Sequence, residues 1–339
     1  TIDSNGLNYQ GDDDSYTVEY TTDGQSVNIV YSGSTKGWIP IEDDTVTDAP
    51  TKNNMEGIFG YGDSGSNTAV TNLVSDAGVV ATDVTGVGTA RRSLAGTQYG
   101  EDKGIFGFGY GSDYTGITNL VSNVGVVATD TTGVGSGRYG LGACGYGEDK
   151  GIFGFGYSDG TGATGITNLV SNAGVVASDT AGVGTGRSMM AACEYGGDKG
   201  IFGFGESPQT AITNLVSNVG VVGSDVTGVG TARHNIAACG YGLDKGIFGF
   251  GNDASGRTGV TNLVSNTGVV ATDVTAVGTA KASLAACTYG NDKGIFGYGS
   301  SAADSTDSTT NLVSNTGVVA TDVTGVGTGR NSLAACSFN

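Results

Sequence analysis

Apolar and polar positions alternate in short bursts along most of this chain. Runs such as KGIFGFG, TNLVS, GVVATD and RNSLAAC are apolar or β-branched and of strand length. Glycine, aspartate and asparagine punctuate them, and no apolar spacing of helical period persists. The pattern predicts an all-β protein in which TNLVS runs on into a GVVATD strand and a weaker run around TGVGT makes a fourth. The opening stretch differs: SYTVEYT, QSVNIVYS and KGWIPIED alternate like strands between Asp- and Gly-rich turns, predicting a small β module over residues 1–50.

The remaining bursts repeat. The triplet GIF recurs at Gly57, Gly104, Gly151, Gly200, Gly246 and Gly294, at spacings of 47, 47, 49, 46 and 48, and DKGIFGFG occurs verbatim from Asp102, Asp149, Asp198 and Asp244. Between GIFGFG and the following Thr-Asn lie 8, 8, 10, 7, 9 and 10 residues, and subtracting the first five of these from the spacings leaves 39 each time. One loop varies while the rest is held to the residue. Three or four short strands per unit of this length is the signature of a propeller blade, so a six-bladed β-propeller is expected over residues 53–339. The register closes without remainder, because Asn339 aligns with Gly290 and Asn54 with Asn291. The first unit lacks its LAAC strand and the last lacks its GIF strand, so residues 329–339 are expected to complete the blade begun at Gly57 and hide its edge. In the third copy, strand alternation places Phe153 and Phe155 on one face and Ile152, Gly154 and Gly156 on the other.

Composition narrows the partners. A formal charge of -18 and 63 glycines against three prolines describe an acidic, turn-rich chain. A basic face for nucleic acid or anionic membrane is not expected, nor is membrane insertion, since no apolar run approaches a span. Five cysteines, Cys144, Cys193, Cys239, Cys287 and Cys336, share one repeat position with Thr97 in the sixth copy; equivalent places on successive blades are too far apart for disulfides, so buried thiols are expected.

Candidate chemistry is sparse. The only histidine, His234, stands where other copies have Arg92, Tyr139, Ser188, Ala282 and Asn331, as a freely varying surface position would. GFGYG and GVGTG lack the Lys-Ser/Thr ending of a phosphate loop. Asp-rich SSAADSTDS and GDDDS do not match an EF-hand pattern, and no metal or cofactor is expected. Of the 15 Lys and Arg, 11 fall on two repeat positions. One is the cation before LAAC, namely Arg91, Arg138, Arg187, Arg233, Lys281 and Arg330. Asp83, Asp130, Asp179, Asp225, Asp273 and Asp322 each lie eight residues before it. A structural ion pair in every blade, or an arginine clamp on the backbone, is the first expectation; a ring of binding arginines is the alternative. No copy carries an asymmetric cluster of acids. The variable loops are rich in Ser, Thr, Asp, Asn and Tyr, suited to hydroxylated ligands. Asp63, Asn67, Asp113, Tyr114, Asp159, Gln209, Asp253, Arg257 and Asp304 are their candidate ligand contacts.

The cation before the first strand, the LAAC-x-YG strand and the glycine-ended second strand resemble kelch-type β-propellers. They are closer still to the glycine-rich, kelch-like repeat proteins among the structural proteins of tailed phages. The resemblance covers about residues 53–339; the paired glycines of kelch are here split as Gly-Phe-Gly, and Trp38 is the only tryptophan. QSVNIVYSGSTKGWIPI is similar to small β modules of phage tail fibres. The resemblance implies a non-enzymatic virion structural or appendage protein, extracellular as part of the virion. Its 1–50 module would anchor or oligomerise it, contacting other virion proteins and copies of itself, and its loops would attach to cell-surface glycans. The alternative is a glycan-processing enzyme on a propeller scaffold, which converging carboxylates would favour.

Overall fold

The computed structural model describes residues 7–9, 28–34, 37–40, 55–275, 277–301 and 305–338. The chain divides into two compact units, Thr1–Thr51 and Lys52–Asn339. In the first unit, Ile29–Tyr31 pairs antiparallel with Trp38–Pro40, and the Tyr31 and Trp38 rings lie 5.4 Å apart. Tyr9 bridges to Trp38 in parallel. SYTVEYT, GDDDS and Asp304 lie outside the described residues.

The second unit is all-β and repeats one plan: a three-stranded antiparallel sheet in which KGIFG is flanked by the AAC-x-Y strand and by TNLV. The second sheet, for example, comprises Ala95–Tyr99, Lys103–Gly107 and Thr118–Val121. The third is Gly142–Tyr146, Lys150–Gly154 and Thr167–Val170. The fourth, fifth and sixth follow in chain order, with central strands Lys199–Gly203, Lys245–Gly249 and Lys293–Gly297. The first sheet is assembled from both ends of the unit: Ala334–Phe338 pairs with Glu56–Gly60, which pairs with Thr71–Val74.

Two expectations about the strands are corrected. GVVATD and TGVGT are not strands. In the first sheet only single bridges, Val74 to Val80 and Thr71 to Val84, follow TNLV. Asn72 competes with the ladder: its side-chain amide donates to the Ala81 carbonyl at 3.0 Å, a group that a regular ladder would use, and to the Asp83 carboxylate at 2.9 Å. Nor do Phe153 and Phe155 share a face. The strand ends at Gly154, and Phe155 takes a left-handed φ of 62°, which breaks the alternation. Phe153 therefore packs on Phe108 of the second sheet and Phe155 on Phe202 of the fourth, both at 5.2 Å between ring centres.

The same contact joins every successive pair of sheets, including the sixth to the first through Tyr298 and Phe59 at 5.1 Å. It requires bare backbone, since a Cβ on Gly154 would lie 2.7 Å from Phe202 Cζ. On the other face a Cβ on Gly200 would lie 2.4 Å from Cys144 Sγ, and one on Gly57 2.6 Å from Cys287 Sγ. The five cysteines are buried thiols outside any disulfide, each seated on the glycine of the neighbouring sheet.

Just before the first strand of each sheet, one residue has a positive φ and its N–H reaches the equivalent carbonyl of the preceding sheet. Ser93 donates to Ser332, Ser332 to Ser283, Ser283 to Asn235, Asn235 to Met189, Met189 to Gly140 and Gly140 to Ser93, all at 2.7–2.8 Å. The sixth bond returns to the first residue. A second set at the opposite strand ends runs from Gly100 to Asp149, Gly147 to Asp198, Gly196 to Asp244, Gly242 to Asp292 and Gly290 to Met55.

Leu333, Cys336 and Phe338 are buried, and a large apolar side chain is worth about 1.5–3 kcal/mol when fully buried. Removing residues 329–339 also removes the ladder to Glu56–Gly60. It is expected to lower the melting temperature by about 10 °C or more, measured by circular dichroism; an unchanged melting temperature would contradict the pairing.

Candidate functional site

Each first strand runs away from the cycle of left-handed residues and each second strand runs back, so the variable loops all emerge at the end of the sheets where that cycle lies. Beneath them sits a polar frame. In the third sheet Arg138 is fully buried. Its Nε donates to the Phe155 carbonyl at 2.8 Å, its Nη1 to the Ser136 carbonyl at 3.0 Å and its Nη2 to Asn168 Oδ1. Its guanidinium lies 4.4 Å from the centre of the Phe108 ring in the second sheet. Desolvation draws its pKa down to about 10, the Asp179 charge working the other way, so it stays protonated at neutral pH. Paired hydrogen bonds make so deep a charge tolerable.

The ion pair expected in every blade is seen within the third, fourth and fifth sheets, between residues distant in the chain. An Asp does not bond the arginine eight residues after it: Asp130 accepts from Thr89 at 2.6 Å and from Asn119 at 2.9 Å, and so belongs with Arg91. Asp179 likewise lies 3.7 Å from Arg138, Asp225 3.9 Å from Arg187 and Asp273 3.6 Å from Arg233. Asp83 accepts from Thr328, beside Arg330, and Asp322 from Thr279, beside Lys281. Desolvation opposes the Asp179 carboxylate, but hydrogen bonds from Asn168 and Ser136, with the Arg138 charge behind them, outweigh it and hold its pKa below the usual range. The other five aspartates are lowered in the same manner. The cations are structural in their contacts, turned into the sheets rather than toward a ligand.

Four of the five arginines donate to the asparagine of their third strand; Arg330 does not, its Nη2 and Asn72 Oδ1 both being buried without a partner, and neither does Lys281. Its ammonium reaches Thr309, at 3.1 Å from the carbonyl and 2.9 Å from Oγ1, but not Asn311, whose Oδ1 is buried without a partner.

Above the frame the sheets cease to be alike. The residue after the buried cation bridges to the residue after GFG: Asn331 to Asp63, Arg92 to Tyr110, Tyr139 to Tyr157, Ser188 to Glu206, His234 to Asn252 and Ala282 to Ser300. The loops then reach to the next sheet by different chemistry. Asp63 pairs with Arg92 at 2.7 Å, and Asn67 donates to the Tyr110 and Gly111 carbonyls. His234 Nε2 lies 3.7 Å from Glu206 with its side chain 21% exposed, so it is not a free surface position. Arg257 donates to Ser300 Oγ, and Gln209 to the Ala232 carbonyl at 2.8 Å. Asp113 and Asp253 accept from backbone N–H groups of their own loops, and Asp159 is exposed. Several candidate contacts thus fix loop shape, and Asn67, Gln209 and Arg257 are engaged within the frame.

Sequence reasoning missed the most individual feature of this end. Tyr114 of the second sheet's loop gathers with Tyr110, Tyr139 and Tyr157. Ring centres are 5.5 Å apart for Tyr110 and Tyr114, 5.5 Å for Tyr114 and Tyr139, and 5.7 Å for Tyr139 and Tyr157. All four are half-buried. The signal was available, because the first, fourth, fifth and sixth copies have no Phe, Tyr or Trp at these repeat positions.

A second asymmetric contact lies at the position between Cys and Tyr of the first strands. Gln98 Nε2 donates to Glu194 Oε1 at 2.6 Å, reaching past the third sheet, where Gly145 leaves room. Among the described residues no three His, Cys, Asp or Glu side chains gather as metal ligands. No protein-family profile matches the chain, and no curated protein matches its sequence.

Two outcomes follow from the frame. Lys281→Arg is expected to satisfy Asn311 and add about 1 kcal/mol, raising the melting temperature by about 2 °C in calorimetry; a lower one would contradict the account of the orphaned amide. The aspartates with lowered folded pKa contribute stability that is fully present above the unfolded value of about 3.9 and lost as pH falls through the folded values. Melting temperature should therefore hold level down to about pH 5 and fall steeply below about pH 4; a level profile to pH 2 would contradict it.

Proposed function

We propose that the six sheets are the blades of a kelch-like β-propeller closed by the C-terminal strand, and that the protein is a non-enzymatic virion structural or appendage protein attaching to cell-surface glycans through its loop end. Support for closure comes from the cycle of six hydrogen bonds that returns to Ser93 and from the pairing of Ala334–Phe338 with Glu56–Gly60. Support for attachment rests on one observation: below the loops the frame repeats from sheet to sheet, whereas at the loop end the inter-sheet contacts change from an ion pair at Asp63 and Arg92 to a tyrosine cluster to Glu206 and His234. A rigid ring carrying individual polar and aromatic loops is how binding diversity is mounted on a stable scaffold. In this reading the 1–50 module joins the protein to other virion proteins and to copies of itself.

The glycan-processing alternative would draw on Glu194. Glycoside hydrolysis ordinarily takes two carboxylates about 5–9.5 Å apart. The position that holds Glu194 in its sheet is Gln98, Gly145, Gly240, Thr288 and Ser337 in the others, so no other copy brings an acid to that repeat position.

The test is binding of the full-length protein to immobilised bacterial surface polysaccharides, with released reducing ends assayed in parallel. Saturable binding without release is expected. Release of sugar would favour the enzyme, and no binding to any glycan would overturn the attachment reading.

A further inference from the structure

We infer that Tyr110, Tyr114, Tyr139 and Tyr157 form one subsite per chain for an uncharged saccharide, which rests on the glycan reading above and gives it a place and a ligand class. The frame itself supplies the control. The positions of Tyr110 and Tyr157 hold Asp63, Glu206, Asn252 and Ser300 in the other sheets, and that of Tyr114 holds Asn67 in the first. Those sheets form the same three strands and the same inter-sheet aromatic contacts. The cluster is therefore not required by the fold.

Its geometry suits a ligand with apolar faces and hydroxyl edges. Tyr139 touches the other three rings, with centres 6.1 Å from Tyr110, 5.5 Å from Tyr114 and 5.7 Å from Tyr157. Tyr114 and Tyr157 lie within 24° of parallel at 6.5 Å between centres, farther apart than a direct stack, so they flank Tyr139 as a broken platform. The backbone beneath is pinned: Tyr110 bridges to Tyr114, and Tyr157 pairs with both Tyr139 and Ala163. Little ordering cost would fall on binding. Half-buried tyrosine rings offer π faces to the C–H faces of a sugar, and their hydroxyls both donate and accept.

Charge selects against acidic sugars. Arg92, which lies 5.5 Å from the Tyr110 ring centre, is held by Asp63 at 2.7 Å, while Asp113 and Asp159 are exposed on the two loops that carry the cluster. An anionic ligand would meet two carboxylates with the guanidinium already engaged.

The experiment uses the full-length protein on immobilised dextran, mannan and galactan, with polygalacturonate and hyaluronate as acidic probes. Tyr114→Asn with Tyr157→Ser places residues found at the same positions of other sheets, so folding should hold. Tyr139→Ser is an independent single variant, and Asn252→Ala a control on another sheet. A neutral polysaccharide is expected to bind, with the affinity of the double variant and of Tyr139→Ser lowered about tenfold or more at unchanged melting temperature, and that of Asn252→Ala unchanged. Wild-type affinity in both tyrosine variants would overturn the subsite while leaving glycan attachment standing. Binding confined to acidic probes would overturn the ligand class, and no binding by the unmutated protein to any polysaccharide would remove both readings.

Discussion

A three-stranded sheet of this size cannot bury both faces by itself, and the repeat solves this through the glycine that ends each central strand. At Gly154 the backbone is bare, and the Phe202 ring of the next sheet lies where a side chain would begin. Phe155, turned by its left-handed conformation onto the same side, closes over that ring and in turn lies 4.4 Å beneath the Arg187 guanidinium. One glycine, two aromatics and one cation thus form a sandwich that recurs at Tyr61, Phe108, Phe204, Phe250 and Tyr298, with Lys281 as the cation over Phe250. Side chains of neighbouring sheets interlock, and the apolar surface each sheet hides is completed by the next.

The buried cations turn this packing into register. Arg138 measures its place by a backbone carbonyl two residues before it, another just past the central strand and an asparagine in the third strand, while Asp179 fastens that asparagine from outside. A displaced strand would strand a charge in an apolar site, which costs far more than the loose ion pair contributes. The loop end inherits this rigidity, so its residues can differ without disturbing what lies below.

Much of the fold was legible because the repeat is so literal. The constant 39 residues between one loop and the next located the single variable segment, and the alignment of Asn54 with Asn291 showed which strand the C-terminus would supply. What failed to read through were the departures from ideal strands. Phe155 was placed by simple alternation, which cannot register a left-handed residue that is not glycine. GVVATD looked like a strand because its valines are β-branched, yet Asn72 and its counterparts take over part of the ladder. Which Asp meets which Arg was not legible, because chain proximity is a poor guide where contacts run between segments some 40 residues apart, as for Thr185 and Asp225. The tyrosine cluster went unseen because its members lie in two copies and the two pairs come together only across a sheet boundary.

In the proposed propeller the sheets form one unbroken ring, and the amides of Ser93, Gly140, Met189, Asn235, Ser283 and Ser332 report on that directly. Native-state hydrogen exchange, resolved by residue, should find all six protected to a common free energy and released together in one cooperative opening. Fast exchange at Ser93 and Ser332 alone, with the other four protected, would mean that the array is open where its two ends meet.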